Sequence, residues 1–117
     1  MCQKKRSKKT PPKSALRREG ERVVKAMAKS TGIPADQILG RSRRTSVVWV
    51  RLACYFITRN RLGWTYEEIA GLMGRDKSAV FRGVKTASDY LDLDRHYQRF
   101  WRNLIEPALE PDWTWQV

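Results

Sequence analysis

Apolar residues recur at spacings of three and four between residues 65 and 91, and this period predicts two helices joined by a short turn. The inner face of the first helix is predicted to comprise Ile69, Leu72 and Met73. Thr65 and Glu68 form a capping box at its start, in which each side chain accepts a hydrogen bond from the other residue's backbone amide. Gly74 lies where the chain must turn tightly, since glycine reaches positive φ without steric penalty. The pattern therefore predicts a helix that ends at this glycine.

The second helix of the pair begins after Asp76, which is predicted to cap it. Its inner face is predicted to comprise Val80, Val84, Ala87 and Leu91. The opposite face carries polar and basic residues, namely Lys77, Ser78, Arg82 and Lys85. This combination is typical of a helix-turn-helix whose second helix enters a DNA groove. The alternative is an ordinary helical hairpin with a solvated basic face.

The remaining apolar pattern predicts further helices and no strands. Helices are expected over residues 15–30, over a short stretch from Pro34 to Gly40, and over residues 94–106, the last stopped by Pro107. Residues 47–60 are apolar nearly all the way round, which indicates a central, buried helix, with Ser46 as its expected cap. The predicted fold class is all-α, a helical bundle containing a helix-turn-helix.

The net charge of the chain predicts a polyanionic partner. The 117 residues carry 24 Lys and Arg against 12 Asp and Glu, a net charge of +12. Residues 1–13 hold six basic groups and no acid, whereas residues 86–117 hold three basic and six acidic groups. We expect a disordered basic arm over residues 1–14, a helix-turn-helix domain over residues 15–106 and a tail over residues 107–117.

Two further groups of basic residues are candidates for phosphate contacts. The loop at residues 40–46 contains Arg41, Arg43 and Arg44 with no acid nearby. In the following helix Arg51 and Arg59 share a face and are about 12 Å apart at 1.5 Å per residue. They could hold phosphates, or they could be salt-bridged residues at the rim of the domain.

The order of these elements resembles the C-terminal DNA-binding domain of the bacterial replication initiator DnaA, over roughly residues 22–105. The most specific part is Gly74-Arg75-Asp76-Lys77-Ser78-Ala79-Val80, which is similar to the family signature Gly-Gly-Arg-Asp-His-Thr-Thr-Val. The resemblance implies that Asp76, Lys77 and Ser78 read base edges in the major groove and that Arg43 enters the adjacent minor groove. It also implies that Arg51, Arg59, Arg75 and Arg82 grip the backbone. The full predicted DNA-binding set is Arg43, Arg44, Arg51, Arg59, Arg75, Asp76, Lys77, Ser78, Ala79, Arg82 and Lys85.

The sequence departs from the family pattern on its base-reading surface. Lys77 replaces a histidine, Ala79 replaces a threonine, and Gly74 stands alone where the family has two glycines. In the preceding segment Val50 replaces a common proline, and Thr45 stands at the second basic position of the loop. We therefore expect a preference other than the standard DnaA box, with an A·T-rich flank read by Arg43.

Other function classes find little support in the sequence. No phosphate-binding loop is present, no nucleophile–base pair suggests itself, and one histidine cannot complete a zinc site, so we expect neither an enzyme nor a cofactor or metal. No membrane span or signal peptide is predicted, and the expected location is the cytoplasm, at the nucleoid. We expect a standalone reader of double-stranded DNA in replication or transcription control, encoded by a phage, a mobile element or a small regulatory gene. The alternative is an adaptor or decoy that docks a replication or transcription protein through Trp113 and Trp115.

Overall fold

The structure is a computed structural model that describes residues 13–110 of the chain. Within these residues the chain forms six α-helices and no strand: α1 Lys13–Thr31, α2 Ala35–Ile38, α3 Thr45–Asn60, α4 Tyr66–Met73, α5 Lys77–Leu93 and α6 Arg95–Phe100. A π-helical turn, Trp101–Ile105, and a 3-10 turn, Glu106–Ala108, follow α6 directly. The predicted all-α class is confirmed. None of the helices within this part of the chain is long and apolar enough to cross a membrane.

Helix α3 is the centre of the bundle, as its continuous apolar sequence predicted. Val50, Ala53, Cys54 and Ile57 are fully excluded from solvent. The helices α1 and α5 both pack against it. A helix that is apolar on all sides is stable only when other parts of the protein cover it and exclude water in this way.

The start of α3 differs from the prediction. Arg44, not Ser46, is the N-cap residue, and its carbonyl accepts the first helical hydrogen bond from Val48 N at 2.9 Å. No side chain caps this end of the helix. Instead Ser42 Oγ accepts a hydrogen bond from Arg44 N at 3.3 Å, which orders the backbone just before the helix. Ser46 therefore lies inside the first turn, two residues too late to cap it.

Two glycines allow an aromatic ring to approach a helix closer than any other residue would. A Cβ on Gly83 of α5 would lie 2.4 Å from Tyr55 Cδ2 on α3, and one on Gly20 of α1 would lie 2.5 Å from Trp64 Cη2. The sequence predicts only that Gly20 weakens α1, but its close contact lets the buried Trp64 ring pack against that helix. Trp64 Nε1 then donates to Glu19 Oε1 at 3.2 Å. The lack of a side chain at Gly20 and at Gly83 is thus required for this packing.

The C-terminal helix is less regular than predicted. The helix starts where predicted, and Asp94 caps it, with Oδ1 accepting from Tyr97 N at 3.1 Å, but the α-helix gives way to the π-helical turn at Trp101. Tyr97 is fully buried, and its ring meets that of Trp49 edge-on at 5.3 Å. Leu109 packs against the core, so the chain lies against the body beyond Pro107. Trp113 and Trp115, the residues of the adaptor alternative, and most of the predicted basic arm lie outside the described residues.

Candidate nucleic-acid interface

The predicted helix-turn-helix is formed by α4 and α5. Both halves of the capping box are present: Thr65 Oγ1 accepts from Glu68 N at 3.1 Å, and Glu68 Oε1 accepts from Thr65 N at 2.9 Å. Helix α4 ends at Gly74, whose φ of 66° lies in the left-handed region that favours glycine. The amide of Arg75 closes the turn by donating to Ala70 O at 3.0 Å. This local chemistry sets the angle at which α5 leaves the turn.

The amino-terminal half of α5 presents polar and basic side chains to solvent. Its inner face is covered by the rest of the protein, since Val80 and Ala87 are fully buried. The exposed residues of this region are Asp76, Lys77, Ser78, Arg82 and Lys85, and Ala79 is partly exposed. Unpaired backbone amides at a helix start attract the negative charge of a phosphate, and the basic side chains add to that attraction. The face predicted from the sequence is therefore available to a ligand.

Asp76 occupies the predicted N-cap position but does not cap with its side chain. Its carbonyl accepts from Val80 N at 3.1 Å, while its carboxylate makes no capping hydrogen bond. The prediction that the Asp76 side chain caps α5 is therefore wrong. The exposed carboxylate can instead accept a hydrogen bond from a base, as a cytosine amino group would supply.

The basic loop precedes α3, and its three arginines, Arg41, Arg43 and Arg44, are exposed. The buried side chain of Arg51 holds the backbone of this region through hydrogen bonds. Its Nε donates to Ile38 O at 2.8 Å, and its Nη2 donates to Gly40 O at 3.0 Å. Further hydrogen bonds reach Ser42 O from Nη1 at 3.1 Å and Gln37 O from Nη2 at 3.2 Å. One buried side chain therefore fixes the backbone that leads into the loop, as far as Ser42.

These contacts differ from the role that the resemblance implies for Arg51, which is a contact with the DNA backbone. The residue is only 8% exposed, and its donors are directed at carbonyl groups of the protein. Burial lowers the pKa of Arg51, and the neighbouring Arg75 guanidinium lowers it further. A buried guanidinium is stable only when its hydrogen bonds are satisfied, which the four carbonyls achieve.

Arg75 brings the loop and the helix-turn-helix together. This partly buried residue of the α4–α5 turn donates from Nη2 to Gly40 O, the carbonyl that also accepts from Arg51. The first residue of the basic loop is consequently in contact with the turn that begins α5. Gly40, three residues before the exposed Arg43, is therefore held beside the turn that precedes α5.

Arg59 has a different environment from the one predicted. It is partly buried, and its Nη1 donates to Trp64 O at 2.8 Å. Its guanidinium carbon lies 4.3 Å from the centre of the Tyr66 ring, which is a cation–π contact. Arg51 braces the loop and Arg59 braces the start of α4, so the structure does not present them as a matched pair of phosphate ligands.

One exposed residue of α5 was missed by the sequence reasoning. Phe81 is 51% exposed, and its ring contacts the Tyr66 ring edge-on with the centroids 5.3 Å apart. The available signal was its position, because Phe81 is an apolar residue outside the inner stripe that runs through Val80 and Val84. Phe81 carries no charge, so the polar and basic pattern of the outer face does not include it.

The described part of the chain shows no group of three or more side chains placed to hold a metal ion. A capped helix, a glycine turn and an exposed basic second helix define a protein of the helix-turn-helix class, to which an arginine-rich loop is joined. The chain belongs to the bacterial dnaA protein helix-turn-helix family, whose family model matches residues 20–87. Domains of this family bind double-stranded DNA.

Curated relatives match the same region. The chain is 33% identical over 72 residues to the chromosomal replication initiator protein DnaA 1 of Chlamydia muridarum, covering 62% of this chain and 16% of the relative. It is 27% identical over 86 residues to the chromosomal replication initiator protein DnaA of Ureaplasma parvum, covering 73% and 19%. The matched region thus spans less than a fifth of the length of these relatives. No solved structure gives a significant match.

Proposed function

We propose that this protein binds duplex DNA sequence-specifically, with the amino end of α5 in the major groove and Arg43 in the adjacent minor groove. The observation that carries the proposal is the hydrogen bond from Arg75 to Gly40 O, which holds the loop beside the start of α5. A protein that reads two neighbouring grooves needs its two reading elements held at a set separation.

The contacts divide into two kinds. We assign Asp76, Lys77, Ser78 and Ala79 to base edges, and we assign the exposed Arg44, Arg82 and Lys85 to phosphates. Arg43 reads an A·T-rich flank, because a narrow minor groove concentrates negative potential. Arg51, Arg59 and Arg75 support these residues from within the protein instead of touching DNA with all of their donors.

We infer a role in replication or transcription control, because the curated relatives are chromosomal replication initiators. The DNA target that we infer is an array of binding sites like that of a replication origin. The proposed activity is binding without catalysis, and the place of action is the nucleoid.

The test is selection of bound duplexes from a random pool at a fixed salt concentration. We expect one preferred motif with an A·T-rich side. The exposed cations of the two reading elements are Arg41, Arg43, Arg44, Lys77, Arg82 and Lys85. If about six phosphates are neutralised, log K against log salt should have a slope of about −5. Binding that is equally salt-sensitive but shows no preferred motif would refute sequence-specific recognition.

A further inference from the structure

Phe81 exposes an aromatic ring on the helix that the proposed function places in the major groove. Half of the residue's surface, 51%, is open to solvent, whereas the apolar residues of α5's inner side, such as Val80 and Val84, pack against the core. Lys77 lies one turn before it and Lys85 one turn after it, and both are exposed. Residues four apart are neighbours on a helix surface, so the ring lies between two cations.

The ring is held in place from one side. Its edge-on partner is Tyr66, at an interplanar angle of 80°. Tyr66 is in turn covered by the Arg59 guanidinium, which is itself bonded to Trp64 O. This stack links α5 to the start of α4 and the end of α3. An aromatic side chain supported in this way presents a defined apolar surface, and little conformational freedom is lost when a ligand meets it.

Leu93 provides a comparison on the same helix. It is more exposed, at 82%, but Asp92 and Asp94 flank it in the sequence. A polyanion would be repelled from that end of α5 and attracted to the end that carries Phe81. The surroundings of Phe81, unlike those of Leu93, therefore suit an apolar group that belongs to a nucleic acid.

We propose that Phe81 contacts the 5-methyl group of a thymine in the bound duplex and makes this protein select thymine at that position. The inference rests on the proposed function and deepens it. The thymine methyl is the apolar group that a base pair presents in the major groove, and a phenylalanine ring is a suitable partner for it. Phe81 is therefore a specificity-determining residue that carries no charge and forms no hydrogen bond to the base.

The test replaces each thymine of the selected duplex in turn by deoxyuridine, which removes only the methyl group. For the wild-type protein we expect one replacement to weaken binding about threefold to tenfold, as loss of one buried methyl contact implies. For Phe81→Ala the same replacement should change the affinity by less than about twofold, because the contact is already gone. Phe81→Leu should keep part of the methyl dependence, since it retains an apolar side chain.

Leu93→Ala is the matched control, because it removes an exposed apolar side chain from the same helix, and it should retain the full wild-type response to deoxyuridine. Circular dichroism and thermal melting check that each variant is folded, and Phe81→Gln replaces Phe81→Ala if the alanine variant is not. A wild-type protein indifferent to every thymine methyl would overturn the proposal. So would a Phe81→Ala variant with undiminished methyl dependence, which would make Phe81 a packing residue of α4 and α5.

Failure of the proposed function and failure of the role of Phe81 give different results. If selection yields no preferred duplex, sequence-specific binding itself is refuted and the inference falls with it. If selection yields a motif whose flank depends on Arg43 but whose thymine methyls are irrelevant, the proposed function stands and only the role of Phe81 is rejected.

Discussion

Arg75 donates a hydrogen bond to the backbone carbonyl of Gly40, and these residues are separated by 35 positions in the sequence. The same carbonyl accepts from Arg51 at 3.0 Å. A carbonyl oxygen has two lone pairs, so it can accept both donors. The residue at which the basic loop begins is thereby bonded to the turn of the helix-turn-helix and to the central helix α3.

The first prediction concerns this bond between loop and turn. Arg75→Ala should lower the affinity for the selected duplex about tenfold, as loss of one hydrogen bond from a charged group implies. We expect the loss to come from the A·T-rich flank. Arg43→Ala should cost less in the Arg75→Ala background than in the wild type, because a loop that is still held by Arg51 but no longer bonded to the helix-turn-helix would position Arg43 less well for the duplex. A double-mutant cycle on binding free energies measures this coupling. Equal costs of Arg43→Ala in the two backgrounds would show that Arg75 does not position the loop.

The second prediction separates folding from binding at Arg51. Arg51→Ala should reduce the free energy of unfolding by about 3 kcal/mol, because it leaves carbonyl groups that its buried guanidinium now satisfies without partners. Urea denaturation followed by circular dichroism measures the loss. Arg82→Ala is the matched control, since it removes an exposed arginine and should change the free energy of unfolding by less than about 0.5 kcal/mol. An Arg51→Ala variant that is fully stable but binds every duplex more weakly would restore the phosphate role expected from the sequence.

The third prediction concerns the division between base and phosphate contacts. Arg43→Ala and Asp76→Ala should relax the selected motif, each at a different position, with a loss of about 1–3 kcal/mol of discrimination. Arg82→Ala should weaken all duplexes about equally and reduce the salt slope by about 1. Binding-site selection repeated with each variant gives the answer. Motifs unchanged in both Arg43→Ala and Asp76→Ala would contradict the assigned roles.

The fourth prediction tests the close approach of α5 to α3. Gly83→Ala should destabilise the fold by about 1–3 kcal/mol, because the added methyl group would overlap the Tyr55 ring. Gly71→Ala is the control: it lies in α4 with nothing within 4 Å of an added Cβ, and it should stabilise the helix by up to about 1 kcal/mol. Thermal melting of the two variants should therefore shift in opposite directions. A Gly83→Ala variant that melts above the wild type would show that the ring moves aside without cost.

The fifth prediction concerns pH and the buried thiol of α3. Burial raises the pKa of Cys54 to about 12 from its usual 9.0, and burial also raises the pKa of Tyr97. Because the folded protein keeps these protons while the unfolded chain releases them, stability is unaffected below about pH 9 and falls as the pH rises towards 12. In a Cys2→Ser variant, alkylation of Cys54 at pH 8 should be slow in buffer and fast in urea. Rapid alkylation of the native protein would place Cys54 outside the core.

Local chemistry explains which parts of the fold the sequence predicts. The capping box of Thr65 and Glu68 and the left-handed turn at Gly74 depend on neighbours within four residues, so the sequence alone determines them. The central position of α3 follows in the same way from its apolar composition. The predicted outer face of α5 is also exposed, because a 3.6-residue period assigns faces without reference to distant residues.

Only the tertiary structure decided which arginines face solvent. Sequence makes Arg43, Arg51 and Arg75 equivalent cations, yet Arg43 is exposed while the other two converge on Gly40 O. The same holds for Gly83, whose missing side chain matters only because Tyr55 lies opposite. The physical reason is that burial and hydrogen-bond partners depend on residues distant in the chain. Charge and periodicity indicate which contacts a residue can make. The packing of the folded chain determines which of those contacts it makes.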